Sequence, residues 1–204
     1  MAEPRLIPVA EPDRPTGVAL VLHGGAARAG NPMVAPTQLS VLRMIPVARR
    51  VARATRGRVA VYRLLNSHRG WDTEHTPVMD AVWALDRIAE RHGGRLPTSL
   101  VGHSLGGRAA LLAGAQPDVV GVVALNPWVY PSDAADLRGR RVLVVHGDAD
   151  RIALPARSRA VADRLARTTE VEWRPVPGGK HAMLRHGAVF ERAAADFVAA
   201  VLAG

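Results

Sequence analysis

The chain has 204 residues, 48% hydrophobic but only 4% aromatic, which excludes a disordered chain and fits one domain with a core of Val, Leu, Ala and Ile. It contains no cysteine, so disulfides, thiolate metal sites and a cysteine nucleophile are excluded, while the redox compartment stays undecided. The formal net charge is +9, yet Lys180 is the only lysine and the arginines are spread along the chain with only short pairs such as Arg49-Arg50 and Arg140-Arg141; without a basic cluster, nucleic acid is not an expected partner.

The opening residues, from Met1 to Pro8, lack the basic region and the long apolar stretch of a secretory signal. A cytoplasmic protein is therefore expected. Short apolar runs at 18–22, Val59–Leu65, 99–101, Val119–Leu125 and 142–145 are mostly rich in Val, and each is followed by Gly, Asn or His. They read as buried strands, and all are far shorter than the roughly 20 apolar residues of a membrane span. None is expected to cross a membrane.

Helical periodicity lies between several of these runs. Residues 38–54 form one candidate helix, with a kink expected at Pro46. Val78, Ala81, Val82, Leu85, Ile88 and Ala89 make an apolar stripe, and Thr76-Pro77 supplies its start. Residues 105–115 are apolar nearly all round, as a buried helix would be, and 188–202 closes the chain with Val189, Phe190, Ala193, Phe197, Val198 and Val201 on its core face. Strands alternating with helices predict an α/β protein, a three-layer α/β/α sandwich around a mainly parallel sheet. No repeat, low-complexity tract or linker divides it, so residues 1–204 are expected to form a single domain. Ligands of such sheets bind beyond the carboxyl ends of the strands, where His23, Asn66, Ser104, Asn126 and His146 all fall.

At one of those ends, Gly102-His103-Ser104-Leu105-Gly106 follows an apolar run and opens a helix-forming one. It matches G-x-S-x-G, the turn that exposes a serine hydroxyl to a base and aims the next backbone N–H at a developing oxyanion. The turn strains the serine and crowds the residues two places either side, which suits glycine at 102 and 106. A serine nucleophile needs a base and an acid to orient it. Asp148 and Asp150 follow the run at 142–145, and His181 stands in the loop Gly178-Gly179-Lys180-His181 before the last helix. The chain order is Ser, Asp, His.

From about residue 18 to 202 the chain resembles the α/β-hydrolase superfamily, on four motifs in the family's order: His23-Gly24-Gly25, the Gly102 to Gly106 elbow, His146-Gly147-Asp148-Ala149-Asp150, and Gly178-Gly179-Lys180-His181. The resemblance implies the α/β-hydrolase fold, with Ser104 as nucleophile, His181 as base and Asp150 as acid. Asp148 is the alternative acid or a cap of its turn. The oxyanion would be held by the N–H groups of Leu105 and Gly25, with Ala26 as the neighbouring candidate. His23, His103 and His146 are expected to be structural; their spacing supports no metal site, and neither metal nor organic cofactor is expected.

Loops at the strand ends should form the pocket. Ala26, Trp71 and Trp128 are its candidates, each tryptophan serving either as a wall or as packing beneath its own loop. Arg28 and Arg69 could favour an anionic substrate or simply be solvated. Only residues 127–141 separate the fifth run from the preceding strand, where the family often inserts a helical cap, so the cap is expected to be minimal and the site open to esters of modest size. One or two of the family's leading strands are expected to be missing. The implied activity is hydrolysis of small-molecule carboxylic esters through an acyl-enzyme. The same residues would also serve a thioesterase, lactonase or amidase, or a non-catalytic binding protein that keeps the scaffold.

Overall fold

The computed structural model describes residues 3–26, 34–133 and 135–202. The elements in chain order are β1 (Arg5–Ala10), β2 (Gly17–Leu22), α1 (Leu39–Leu42), α2 (Met44–Ala54), β3 (Val59–Leu65), α3 (Thr76–Arg91), β4 (Thr98–His103), α4 (Leu105–Ala113), β5 (Val119–Leu125), β6 (Arg141–Gly147), α5 (Pro155–Leu165), β7 (Glu170–Val176) and α6 (Gly187–Leu202). The strands form one seven-stranded sheet in the order β1-β3-β2-β4-β5-β6-β7. Every pairing is parallel except that of β1 with β3. This is the predicted α/β architecture.

Side chains alternate across β2 and so feed two cores. Val18, Leu20 and Leu22 face the layer of α3, α4 and α5, where Leu85, Ala109 and Val161 are buried. Ala19 and Val21 face the layer of α2 and α6, where Val47, Val51, Phe190 and Val198 are buried. With both faces covered, each buried Val or Leu contributes about 1.5–3 kcal/mol relative to exposure.

Four features depart from the sequence reading. The helix expected over 38–54 is two helices that break at Arg43, and Pro46 occupies the first turn of α2, where its missing N–H removes no bond and no kink results. β1 forms a strand where none is predicted. It is half-exposed, includes Pro8 and shifts register between Pro8 and Ala10, all marks of an edge strand. β7, at the other edge, alternates Glu170 and Glu172 with partly buried neighbours and carries Pro175. The sequence pattern does not predict α5 either, because it buries only Ser158, Val161, Ala162 and Leu165 and so presents little apolar periodicity.

Candidate active site

The turn between β4 and α4 gives Ser104 φ 57° and ψ −120°, a conformation that L side chains rarely adopt. A Cβ on Gly102 would lie 2.0 Å from the carbonyl oxygen of Gly106, and one on Gly106 would lie 2.5 Å from that of Leu22. Both glycines are therefore obligatory for this turn. The Ser104 N–H donates to the Leu125 carbonyl at 3.0 Å, and the Ser104 carbonyl accepts from the N–H groups of Arg108 and Trp128, each at 3.1 Å. The strained residue is thus tied to its own helix, to the neighbouring strand and to the segment that follows that strand.

Loops after β6 and β7 bring the two other predicted residues to it. His181 Nε2 lies 2.9 Å from Ser104 Oγ, and His181 Nδ1 lies 2.8 Å from Asp150 Oδ2. The other carboxylate oxygen, Oδ1, accepts from the N–H groups of Ile152 at 2.8 Å and Ala153 at 3.0 Å. Burial alone would push the Asp150 carboxyl up, but hydrogen bonds from His146, His181 and the Ile152 N–H outweigh it and hold the group well below the usual carboxylate range. An ionised Asp150 makes Nδ1 of His181 the protonated nitrogen and leaves Nε2 to accept the Ser104 hydroxyl proton. Asp148 points elsewhere: its Oδ1 accepts the Gly178 N–H at 2.7 Å, which ties the glycine loop to the end of β6.

Three further histidines are held by hydrogen bonds, although Nδ1 of His103 is buried without a partner among the described residues. His103 Nε2 donates to the His181 carbonyl at 2.8 Å, and burial lowers its pKa to about 3, so it stays neutral. His23 Nδ1 donates to the Gly24 carbonyl at 2.6 Å while its Nε2 accepts the Asn66 N–H at 3.2 Å; burial lowers its pKa as well. His146 binds Ser158 through Nδ1 at 2.7 Å and the Ala153 carbonyl through Nε2 at 2.9 Å. Asn126, at φ 42°, reads in the sequence only as a strand end. Its Nδ2 donates to the carbonyls of Lys180 and His181, each at 3.2 Å, and its Oδ1 accepts the Gly147 N–H at 2.8 Å. It fixes the His181 loop to β6.

A cavity of about 460 Å³ opens over Ser104 and His181, and Gly25, Ala26, Leu105, Trp71 and Trp128 all line it. For Trp71 the two roles considered coincide. Trp71 also packs on the core of its sheet face, and the guanidinium of Arg108 lies 4.0 Å from its ring centre and 5.7 Å from that of Trp128. Arg108 is buried and pairs with Asp133 at 2.7 Å. Arg69 donates through Nε to the Ala26 carbonyl at 3.2 Å, and Arg28 lies outside the described residues. Ile152, Ser40 and Arg43 line the cavity without having been singled out in the sequence.

No protein-family model matches the sequence, and no curated protein matches it. Solved structures do. Est1E from Butyrivibrio proteoclasticus with ferulic acid bound is 16% identical, with a TM-score of 0.71 over 98% of this chain and 96% of that one. A Xanthomonas campestris α/β serine hydrolase without lid is 19% identical, with a TM-score of 0.68 over 96% and 94% of the two chains. The monoacylglycerol lipase of Paleococcus ferrophilus is 18% identical, with a TM-score of 0.68 over 97% and 99%. The chain has the α/β-hydrolase fold. Within this α/β-hydrolase fold, the segment 126–140 between β5 and β6 contains turns but neither helix nor strand among its described residues. No helix among the described residues is long and apolar enough to cross a membrane.

Proposed function

We propose that the protein is a serine hydrolase that cleaves carboxylic esters, with Ser104, His181 and Asp150 as its catalytic triad. The observation that carries this reading is the 2.9 Å approach of His181 Nε2 to the Oγ of a serine held at φ 57°, in a cavity large enough for a small ester. Esterases and a lipase among the proteins of similar fold support it.

As Ser104 Oγ attacks the ester carbonyl, His181 Nε2 takes its proton, and Asp150 holds the ring and stabilises the imidazolium. The carbonyl oxygen becomes an oxyanion that the Gly25 and Leu105 N–H groups would receive. Leu105 opens α4, so its N–H has no partner within the helix and is available for this task. Collapse breaks the bond to the alkoxide, which leaves with the proton from His181. Water, deprotonated by the same nitrogen, then attacks the acyl-enzyme and releases the acid. No metal or organic cofactor is needed for these steps.

The test is hydrolysis of short 4-nitrophenyl esters together with labelling by a fluorophosphonate. Ser104→Ala is expected to abolish labelling and lower turnover by about four to six orders of magnitude. Near-normal hydrolysis by the Ser104→Ala protein would overturn the assignment, and an unreactive wild-type serine would favour a binding protein on the same scaffold.

A further inference from the structure

The cavity over Ser104 carries one fixed charge. Among the described residues that line it, Arg43 is the only permanently ionised one, and no carboxylate is among them. Asp150 lies behind His181, on Nδ1. Arg43 occupies the break between α1 and α2 and also borders a second, more apolar groove beyond it.

Among the described residues no carboxylate pairs with it. Nε of Arg43 is buried without a hydrogen-bond partner among the described residues. Glu191, which lines the neighbouring groove, is paired with Arg50 at 3.9 Å, and residues 27–33 include no acid. Burial lowers the Arg43 pKa, as it does for a cation whose lost hydration is not replaced. The buried guanidinium of Arg108 is treated differently, with a carboxylate at 2.7 Å and an aromatic ring beneath it. A partly desolvated cation without a partner is costly to folding, and an anionic ligand offsets that cost on binding. Ser40 supplies a second donor. Ser40 lines the same cavity, and its Oγ accepts from Gln38 Nε2 at 3.1 Å, so its own hydroxyl can donate to a ligand oxygen.

Building on the serine-hydrolase reading, we propose that Arg43 and Ser40 bind a free carboxylate of the substrate, so that the protein selects esters bearing a second, ionised carboxyl group over neutral esters. A planar guanidinium suits this ligand because it can engage both carboxylate oxygens at once. The reaction is unchanged: water adds across the ester bond, and the distal carboxylate is a handle that is neither formed nor consumed.

Matched substrates read the preference on either side of the scissile bond. On the acyl side the pair is mono-4-nitrophenyl glutarate and 4-nitrophenyl pentanoate; on the alcohol side it is 4-acetoxybenzoate and its methyl ester. The wild type is expected to favour the anionic member of at least one pair. Arg43→Gln should lower that anionic-to-neutral ratio of kcat/KM by about ten- to a hundred-fold, mainly through KM, and Arg43→Lys should keep part of it. If Arg43→Gln fails to fold by circular dichroism, the Lys variant alone reads the ratio, which loss of the fork should lower. Glutarate or 4-hydroxybenzoate should also protect wild-type Ser104 from the fluorophosphonate, a readout that needs no turnover. A wild-type preference for the neutral member of both pairs, a ratio unmoved by substitution at Arg43, or absence of protection by either acid overturns this inference while leaving the hydrolase reading intact. Absence of both hydrolysis and labelling in the wild type overturns the two together.

Discussion

Asp150 Oδ2 stands between two imidazoles, with His181 Nδ1 at 2.8 Å and His146 Nε2 at 3.4 Å. The same His146 nitrogen reaches the Ala153 carbonyl at 2.9 Å, and a carbonyl can only accept, so Nε2 carries a proton and presents it toward the carboxylate. His146 and Asp150 side chains are fully shielded from solvent. The carboxylate bonded to His181 is therefore itself held from behind.

The first expectation concerns that rear contact. In His146→Leu the carboxylate loses a donor while Ser104 and His181 keep their own bonds. Turnover should fall by about 10- to 100-fold, the scale on which outer partners of a functional histidine act, with KM little changed. Steady-state kinetics separates this from general damage, in which KM would rise in parallel. Full activity in this variant would show that the backbone N–H groups of Ile152 and Ala153 suffice to place Asp150.

A second expectation concerns the arginine beneath the tryptophans. Arg108→Met leaves Asp133, with 11% of its side chain exposed, without its ion-pair partner, and removing one member of a buried pair costs about 3–5 kcal/mol. Chemical denaturation should register that loss. Arg159→Ala, which breaks an exposed pair with Asp163, should change stability little. Equal effects would show that the Arg108 pair is no more than a surface contact.

Acid stability follows from His103 and His23. Both have lowered pKa values because they are buried, so below about pH 6.5 the unfolded chain protonates these positions more readily than the folded one. The unfolded state then binds more protons, and stability falls as the pH falls. For His103 this loss runs from about pH 6.5 down to its folded value of about 3, and His23 acts in the same direction. One proton taken up on unfolding gives a slope of about 1.4 kcal/mol per pH unit. Urea titrations at pH 5.5 and 4.5 measure it, and a flat stability across that interval would contradict neutral, buried histidines.

Much of this arrangement was legible in the sequence because its causes are local. β2, β5 and β6 are buried on both faces and so read as apolar runs, and Ser104, Asp150 and His181 follow strand ends that a parallel sheet brings to one edge. β1, β7 and α5 were not legible, since two are exposed edge strands and the third buries only four residues. The pocket was the least legible part. Arg43 belongs to no motif; only the break between α1 and α2 turns it to the cavity. Trp71 and Trp128 could be read either way until Arg108, far from both in sequence, joined them.

The elbow of Ser104 is closed by a distant part of the chain. The backbone of β2 presses on Gly106, with the Leu22 and His23 carbonyl oxygens 2.5 and 2.6 Å from where a Cβ would stand. An excised strand-turn-helix of residues 98–113 would lack that wall. The seat of the elbow against β2 therefore forms only when β2 and β4 pair in parallel, a long-range step in folding.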